Sequence, residues 1–401
     1  MTLDRRTLFA LTGATAAVAT TPTFAASQDT SYAAFPRGRD GRLQRLPTLD
    51  VESNQDFLTD VRGWIQASPS GLFKAARTRA VEILKENGHA PDANLPMRQV
   101  IQLMEKDATV MASARAWLAT QHLTWKGVKD AFDAHQDQYI QAMRDAEKKG
   151  PGTLELAPAM VVPAYAKHEI HIQPGGYVGD PLAGYIYHYG TNNFWMGHNY
   201  QDEQHKNIAS AVPVPKDRKV KRILEIGCAI GQTTMALKDR FPDAEVWGID
   251  VGGPMVHYAH MRATDLKSEV HFRQALAEKT GFPDGYFDIV ASFIILHEVP
   301  NAVNTQIMKE VARLLRPEGV YYPVDFYTSF DPPKDAYGKF HRWWDHRWNN
   351  ETWALEHIDY NLAGDLKAVG MQVGRGDSVF TGSMSAGGLG RANNIVALKH
   401  A

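Results

Sequence analysis

The stretch Arg222-Ile-Leu-Glu-Ile-Gly-Cys-Ala-Ile-Gly-Gln-Thr-Thr234 decides the fold. An apolar run carries an acid near its end, enters a glycine-punctuated turn and opens a helix. A parallel α/β sheet receives a nucleotide-like ligand at its first strand in this way. Gly227 and Gly231 permit backbone angles and a close ligand approach that a side chain would block, and Ala229 keeps the middle of the turn small. A dinucleotide fingerprint, G-x-G-x-x-G, would need glycines where this chain has Ala229 and Gln232. Such a site also feeds a pyrophosphate to the helix N-terminus. The Glu225 carboxylate at the strand end would repel a pyrophosphate but suits an ammonium group.

Working outward, Glu245–Asp250 is a strand ending in an acid, and Val270–Ala275 is a third strand. Gly281-Phe-Pro-Asp-Gly-Tyr-Phe-Asp-Ile-Val290 is a turn feeding a fourth, followed by Leu296-His-Glu-Val-Pro300. Glu310–Gly319 is a helix that closes on a Pro-Glu-Gly turn before a fifth strand at Tyr321–Asp325.

These segments, in this order from about residue 220 to the C-terminus, resemble the class I S-adenosylmethionine (SAM) methyltransferases, in their small-molecule, type 11-like branch. The resemblance implies an α/β fold with a Rossmann-like seven-stranded sheet, and SAM as the cofactor. It implies that Glu225, Gly227, Cys228, Ala229 and Gly231 lie against the methionine part, and that Thr233 bonds its carboxylate or caps the helix. Asp250 would accept hydrogen bonds from the ribose hydroxyls, Val251 would lie by the adenine, and Ser292 near the methionine amino group. This branch often carries an Asp after strand three to hold the adenine amino group. Leu276 stands there instead, which leaves the backbone of Leu276 and Ala277 to contact the ring.

Methyl transfer is an in-line displacement, and much of its acceleration comes from holding acceptor and methyl in near contact. A hydroxyl or amine acceptor also needs a base. His297, just past strand four at the ligand-binding edge, is the first candidate, with Glu298 beside it to orient it or act instead. The Tyr185–Trp195 run, with Tyr189 and Asn192, is dense in aromatic and polar groups and is expected to shape a substrate pocket. A second aromatic block at about residues 330–360, with His341 and Trp344, is either a lid over an apolar or aromatic acceptor or an insertion packing against N-terminal helices. His257 and His260 share a helix face, whereas His168 and His171 lie on a strand-like segment. No His-x-x-x-His with a carboxylate partner emerges, so no metal site is expected.

Thr2-Leu-Asp-Arg-Arg-Thr-Leu-Phe9, then an Ala/Thr-rich stretch and Thr23-Phe-Ala-Ala26, resembles a twin-arginine export signal. The resemblance implies cleavage after Ala25, passage through the twin-arginine translocation machinery in the folded state, and a periplasmic location; the alternative is a cytoplasmic protein with a disordered tail. Export separates the protein from the cytoplasmic source of SAM. An exported accessory or binding protein that kept the fold without turnover therefore stands beside the enzyme reading.

The remainder divides into a mainly helical region at 26–150, an aromatic, His-rich cap segment at 151–215 and the methyltransferase domain at 216–401. Within the first, residues 26–50 form a polar lead-in, and apolar positions recur with helical spacing over 54–87 and 97–149. A net charge of −2 offers no basic field for nucleic acid, and no later segment approaches the roughly 18 apolar residues of a membrane anchor. Cys228, the single cysteine, has no partner for an internal disulfide and reads as loop packing. A small-molecule acceptor is the partner these features leave.

Overall fold

The computed structural model describes residues 45–325, 335–376 and 394–400. The twin-arginine segment and most of the polar lead-in lie outside the described residues.

Five helices open the described chain: α1 (Leu49–Ala67), α2 (Leu72–Glu86), α3 (Met97–Met104), α4 (Ala108–Asp133) and α5 (Gln136–Ala146). The apolar stripes of α1 to α4 meet in one cluster that includes Ile65, Ala80, Leu84, Val100, Met104, Ala114 and Leu118, while Met143 and Ala146 of α5 belong to another. α4 starts sharply because the Asp107 side chain accepts hydrogen bonds from the backbone N–H groups of Thr109 and Val110. The short strand β1 (Leu154–Glu155) and the helices α6 (Gly176–Gly179), α7 (Ala183–Phe194) and α8 (Glu203–Ala211) make up the cap segment. His171 lies on a 3-10 turn rather than on a strand, with φ 54°. Its carbonyl accepts from the Trp125 and Gln121 side chains of α4, which holds it in a conformation that extended backbone would not give.

The remaining elements alternate: β2 (Arg222–Ile226), α9 (Gln232–Arg240), β3 (Glu245–Asp250), α10 (Gly253–Asp265), β4 (His271–Gln274), β5 (Phe287–Phe293), α11 (Asn301–Leu314) and β6 (Leu315–Val324). After them come α12 (Ala336–Trp348), α13 (Ala354–His357), α14 (Leu362–Ala368), β7 (Met371–Gly376) and β8 (Asn394–Lys399). The sheet order is β1-β4-β3-β2-β5-β6-β8-β7, parallel except at β8, which is antiparallel to both its neighbours. Among the described residues there are eight strands where seven were expected, because Leu154 and Glu155 pair with Phe272 and Arg273 at the β4 edge. The last strand in sequence is not the edge strand: β8 sits between β6 and β7.

Successive strand residues point to opposite faces, so each central strand feeds two cores. Ile223, Val246, Phe272 and Ile289 pack with Met235 of α9 and with Val256 and Ala259 of α10. Leu224, Ile226, Ile249 and Val290 pack with Ile307 and Val311 of α11 and with Leu366 of α14. A third cluster, with Trp125, Phe132, Tyr185 and Tyr258, joins α4 through α7 to α10. Tyr337, Phe340 and Trp344 of α12 pack into the N-terminal helical cluster. The helical region therefore roofs the carboxyl ends of the strands. No described helix is long and apolar enough to cross a membrane.

Candidate active site

Two glycines make the β2–α9 turn possible. Gly227 (φ +68°) and Gly231 (φ +74°) take left-handed backbone angles. A Cβ on Gly227 would stand 2.5 Å from Ile295 Cδ1, and one on Gly231 would stand 2.5 Å from the Phe272 ring. The loop so formed is locked to the next strand. Asp250 Oδ2 accepts from the Ala229 N–H at 2.9 Å, and Oδ1 accepts from the Gly252 N–H at 2.8 Å. Burial nevertheless pushes the Asp250 carboxyl above its ordinary range, against those hydrogen bonds.

Above this loop lies a cavity of about 530 Å³. Gly227, Ala229, Asp250, Val251 and Ala277 line one end of it, together with Ile249, Ala275 and Glu278. Glu278 accepts a 2.6 Å hydrogen bond from Tyr165, which also lines the cavity. A carboxylate at the end of β3, a small-residue loop and an apolar slot of Ile249, Val251, Ala275 and Ala277 fit SAM: the acid suits the ribose hydroxyls and the slot suits a flat adenine.

The other implied cofactor residues lie behind this wall. Glu225 is 2% exposed and accepts from the Thr234 hydroxyl, so it braces the first turn of α9 from beneath. Burial pushes its carboxyl up to about 8. Cys228 is buried against Gly248, and burial raises its thiol well above the ordinary value. Thr233 is buried in the first turn of α9, and Ser292 shares a 2.9 Å hydrogen bond with the Tyr321 hydroxyl. Leu276 makes an isolated bridge to Lys279. Among the described residues, Glu225, Cys228, Gly231, Thr233, Leu276 and Ser292 stand outside the cavity wall.

At its far end the cavity meets aromatic and polar groups. Tyr177, Tyr187, Thr191, Phe194 and Trp117 line it, as do Tyr337 and His341 of α12. Tyr189 and Asn192 do not: they sit on the other flank of α7, where Tyr189 packs against Phe132. Trp344 is fully buried, edge-on to Trp117 and behind His341. The insertion thus lines the cavity with some of its side chains and packs against the N-terminal helices with others.

A polar corner closes the wall. His171, Glu298 and Glu351 all line the cavity. His171 Nδ1 is 2.7 Å from Glu351 Oε1, and His171 Nε2 is 3.4 Å from Glu298 Oε1. Behind them His297 is 1% exposed and stands outside the wall, with Nδ1 2.6 Å from Asp325 Oδ1 and Nε2 3.4 Å from Glu298 Oε1. The other Asp325 oxygen accepts from the Leu296 N–H at 2.6 Å. Burial works against charge on His297, but the Asp325 and Glu298 carboxylates outweigh it and hold the imidazole well above its ordinary value. His171 is raised as well, by Glu351 and Glu298 against burial. Glu298 and Glu351 are therefore the carboxylates that this corner presents to the cavity, with His297 behind Glu298 as its support. Sequence reasoning missed His171 and Glu351 as members of this corner, and did not pair Asp325 with His297. Asp325 carried a signal, being the acid that ends strand five, whereas Glu351 carried none.

Comparison with known proteins agrees with the loop geometry. Residues 223–319 match the family described as "Methyltransferase domain". The demethylmenaquinone methyltransferase of Thermus thermophilus is 34% identical over 132 residues, covering 33% of this chain and 58% of that protein. The fatty-acid O-methyltransferase of Mycolicibacterium smegmatis is 31% identical over 118 residues, covering 29% and 42%. The chain thus spans about half the length of the curated relatives it matches. Among solved structures, phosphoethanolamine N-methyltransferase 2 of Haemonchus contortus, in complex with SAM, aligns at TM-score 0.37 and 16% identity, covering 50% of this chain and 53% of that one. Within this longer chain, residues 223–319 match a methyltransferase domain, and the parallel sheet with its glycine loop is the part of the structure that carries the match.

Proposed function

We propose that this protein transfers a methyl group from SAM to a small, apolar or aromatic acceptor bound between the strand ends and the helical roof. One observation carries this reading: a single cavity runs from the Asp250 end, which fits the cofactor, to an aromatic wall and the His171–Glu298–Glu351 corner. SAM, when bound, supplies an electrophilic methyl group on a sulfonium. The chain's own residues do the rest. Asp250 would hold the ribose, and Val251, Ala275 and Ala277 would flank the adenine. Tyr177, Tyr187, Phe194 and Trp117 orient a flat or aliphatic acceptor and keep water away, which sets the reacting atoms in near contact. Glu298 accepts the proton of an acceptor hydroxyl or amine. The two relatives named above support an apolar acceptor, since one is named for demethylmenaquinone and the other for a fatty acid.

We further infer export through the twin-arginine route from Arg5, Arg6 and the Ala-rich stretch after them. Fractionation of cells expressing the full chain is expected to show a periplasmic product lost on Arg5→Lys/Arg6→Lys; product that stays cytoplasmic in both removes this inference.

The activity is tested by following S-adenosylhomocysteine release with a panel of quinol, phenol and fatty-acid acceptors. Turnover is expected with at least one of them. Glu298→Gln is expected to lower kcat for a hydroxyl acceptor by about 10²–10⁴-fold while SAM affinity is retained. SAM binding with no turnover on any acceptor would favour an accessory protein that kept the fold.

A further inference from the structure

We propose that His171, Glu298 and Glu351 form a binding site for a divalent first-row transition metal ion, with His297 as the fourth ligand. One potential ligand atom from each of the first three lies within 4.8 Å of the others. His297 Nε2 joins them, 3.4 Å from Glu298 Oε1 and 3.9 Å from Glu351 Oε2. The four side chains come from three places in the chain: the 3-10 turn at 170–172, the turn after β5 and the loop after α12.

Hydrogen bonding within the corner is incomplete in a way that points to a cation. Glu351 is 2% exposed, yet its Oε2 is buried with no hydrogen-bond donor, and the same is true of Glu298 Oε2. A buried carboxylate oxygen without a donor is costly, and two that face one space repel each other. A metal ion between them removes both costs. The surroundings are built as metal sites are built. Asp325 sits on His297 Nδ1 at 2.6 Å, which fixes the ring and turns Nε2 towards the two glutamates; metal-bound imidazoles are oriented by carboxylates in this way.

Two imidazoles and two carboxylates suit Zn²⁺, Fe²⁺ or Mn²⁺ better than Ca²⁺ or Mg²⁺, which favour all-oxygen sets. The site opens on the cavity, so an oxygen or nitrogen of a bound molecule has access to the ion, as in sites that keep a position free for substrate. A sequence scan does not find this set, because the spacing 171, 297–298, 351 follows no helical or loop motif.

The test uses the full chain, stripped of metal with a chelator and titrated calorimetrically with Zn²⁺ and with Mn²⁺; Co²⁺ absorption in the visible reports the coordination. One equivalent of metal per chain is expected. Glu351→Gln and Glu298→Gln should each weaken it by ~100-fold or more, and Asp325→Asn by about 10–100-fold, as loss of an orienting partner does. Failure of the folded chain to bind any of the three ions, or binding unchanged in both Gln variants, overturns the proposal. If Glu351→Gln fails to fold, Glu298→Gln, which faces the cavity, decides the matter. No SAM is present in these titrations, so their failure would leave methyl transfer standing, and a failure of methyl transfer would leave the metal site standing.

Discussion

Asp250 ties two backbone segments together while lining the cavity, so a single carboxylate both sets the loop shape and faces the space above it. A different residue-scale prediction concerns His205, which is buried in α8 beside Asp202 and edge-on to Phe293. Burial depresses its imidazole to about 4, even though Asp202 opposes the shift. The folded protein then holds His205 neutral while the unfolded chain protonates it. Its contribution to stability is complete above the ordinary value of about 6.5 and shrinks as pH falls towards 4, by at most about 1.4 kcal/mol per pH unit. Urea unfolding across that range should show wild type losing stability relative to His205→Asn as pH falls; a constant difference between the two would contradict it. At this scale the sequence was legible where a residue type is demanded by backbone geometry, as at Gly227 and Gly231. It was less legible where a side chain's direction depends on helix phase. Tyr189 and Asn192 were expected in the pocket, but Tyr187, Thr191 and Phe194 occupy the flank of α7 that faces it.

Elements are joined here by a few buried polar groups that hydrophobic patterning does not reveal. Asp202, just before α8, has no exposed surface, accepts 2.7 and 3.0 Å bonds from Arg262 of α10, and takes another 2.7 Å bond from Gln232 of α9. Arg262 and the neighbouring histidines hold its carboxyl well below the ordinary range against the cost of burial. Asp202→Asn keeps the shape but leaves Arg262 facing a neutral amide. Chemical denaturation should show a loss of about 3–5 kcal/mol, the usual cost of breaking a buried pair from one side; a loss below about 1 kcal/mol would mean that the three helices are held by packing alone. Strands β2, β3 and β5 were legible because apolar runs bounded by turn residues have few alternatives. The place of β8 between β6 and β7 was not legible, because strand order depends on chain crossings that local pattern does not encode. The turn carrying His171 was read as a strand because the hydrogen bonds that bend it come from α4.

Across the whole molecule, the glycine loop and the ends of β3 and β4 carry one end of the cavity, while residues far from them in sequence carry the rest. Trp117 and His171 come from the first half of the chain and His341 and Glu351 from beyond β6, and all four reach one space. The family match covers 223–319, and the aromatic end of the cavity lies mostly outside it. The glycine loop and Asp250 were legible because they follow one another along a βαβ path. The polar corner was not, since its members meet only once α4, β5 and α12 are assembled. The central claim, that the cavity takes SAM, is tested most directly by calorimetric titration of the chain with SAM, S-adenosylhomocysteine and NAD in parallel. Binding of the first two is expected at roughly micromolar Kd, at least about 10-fold weaker in Asp250→Ala, with none of NAD. A folded protein that binds neither SAM-type ligand, or that prefers NAD, would contradict it.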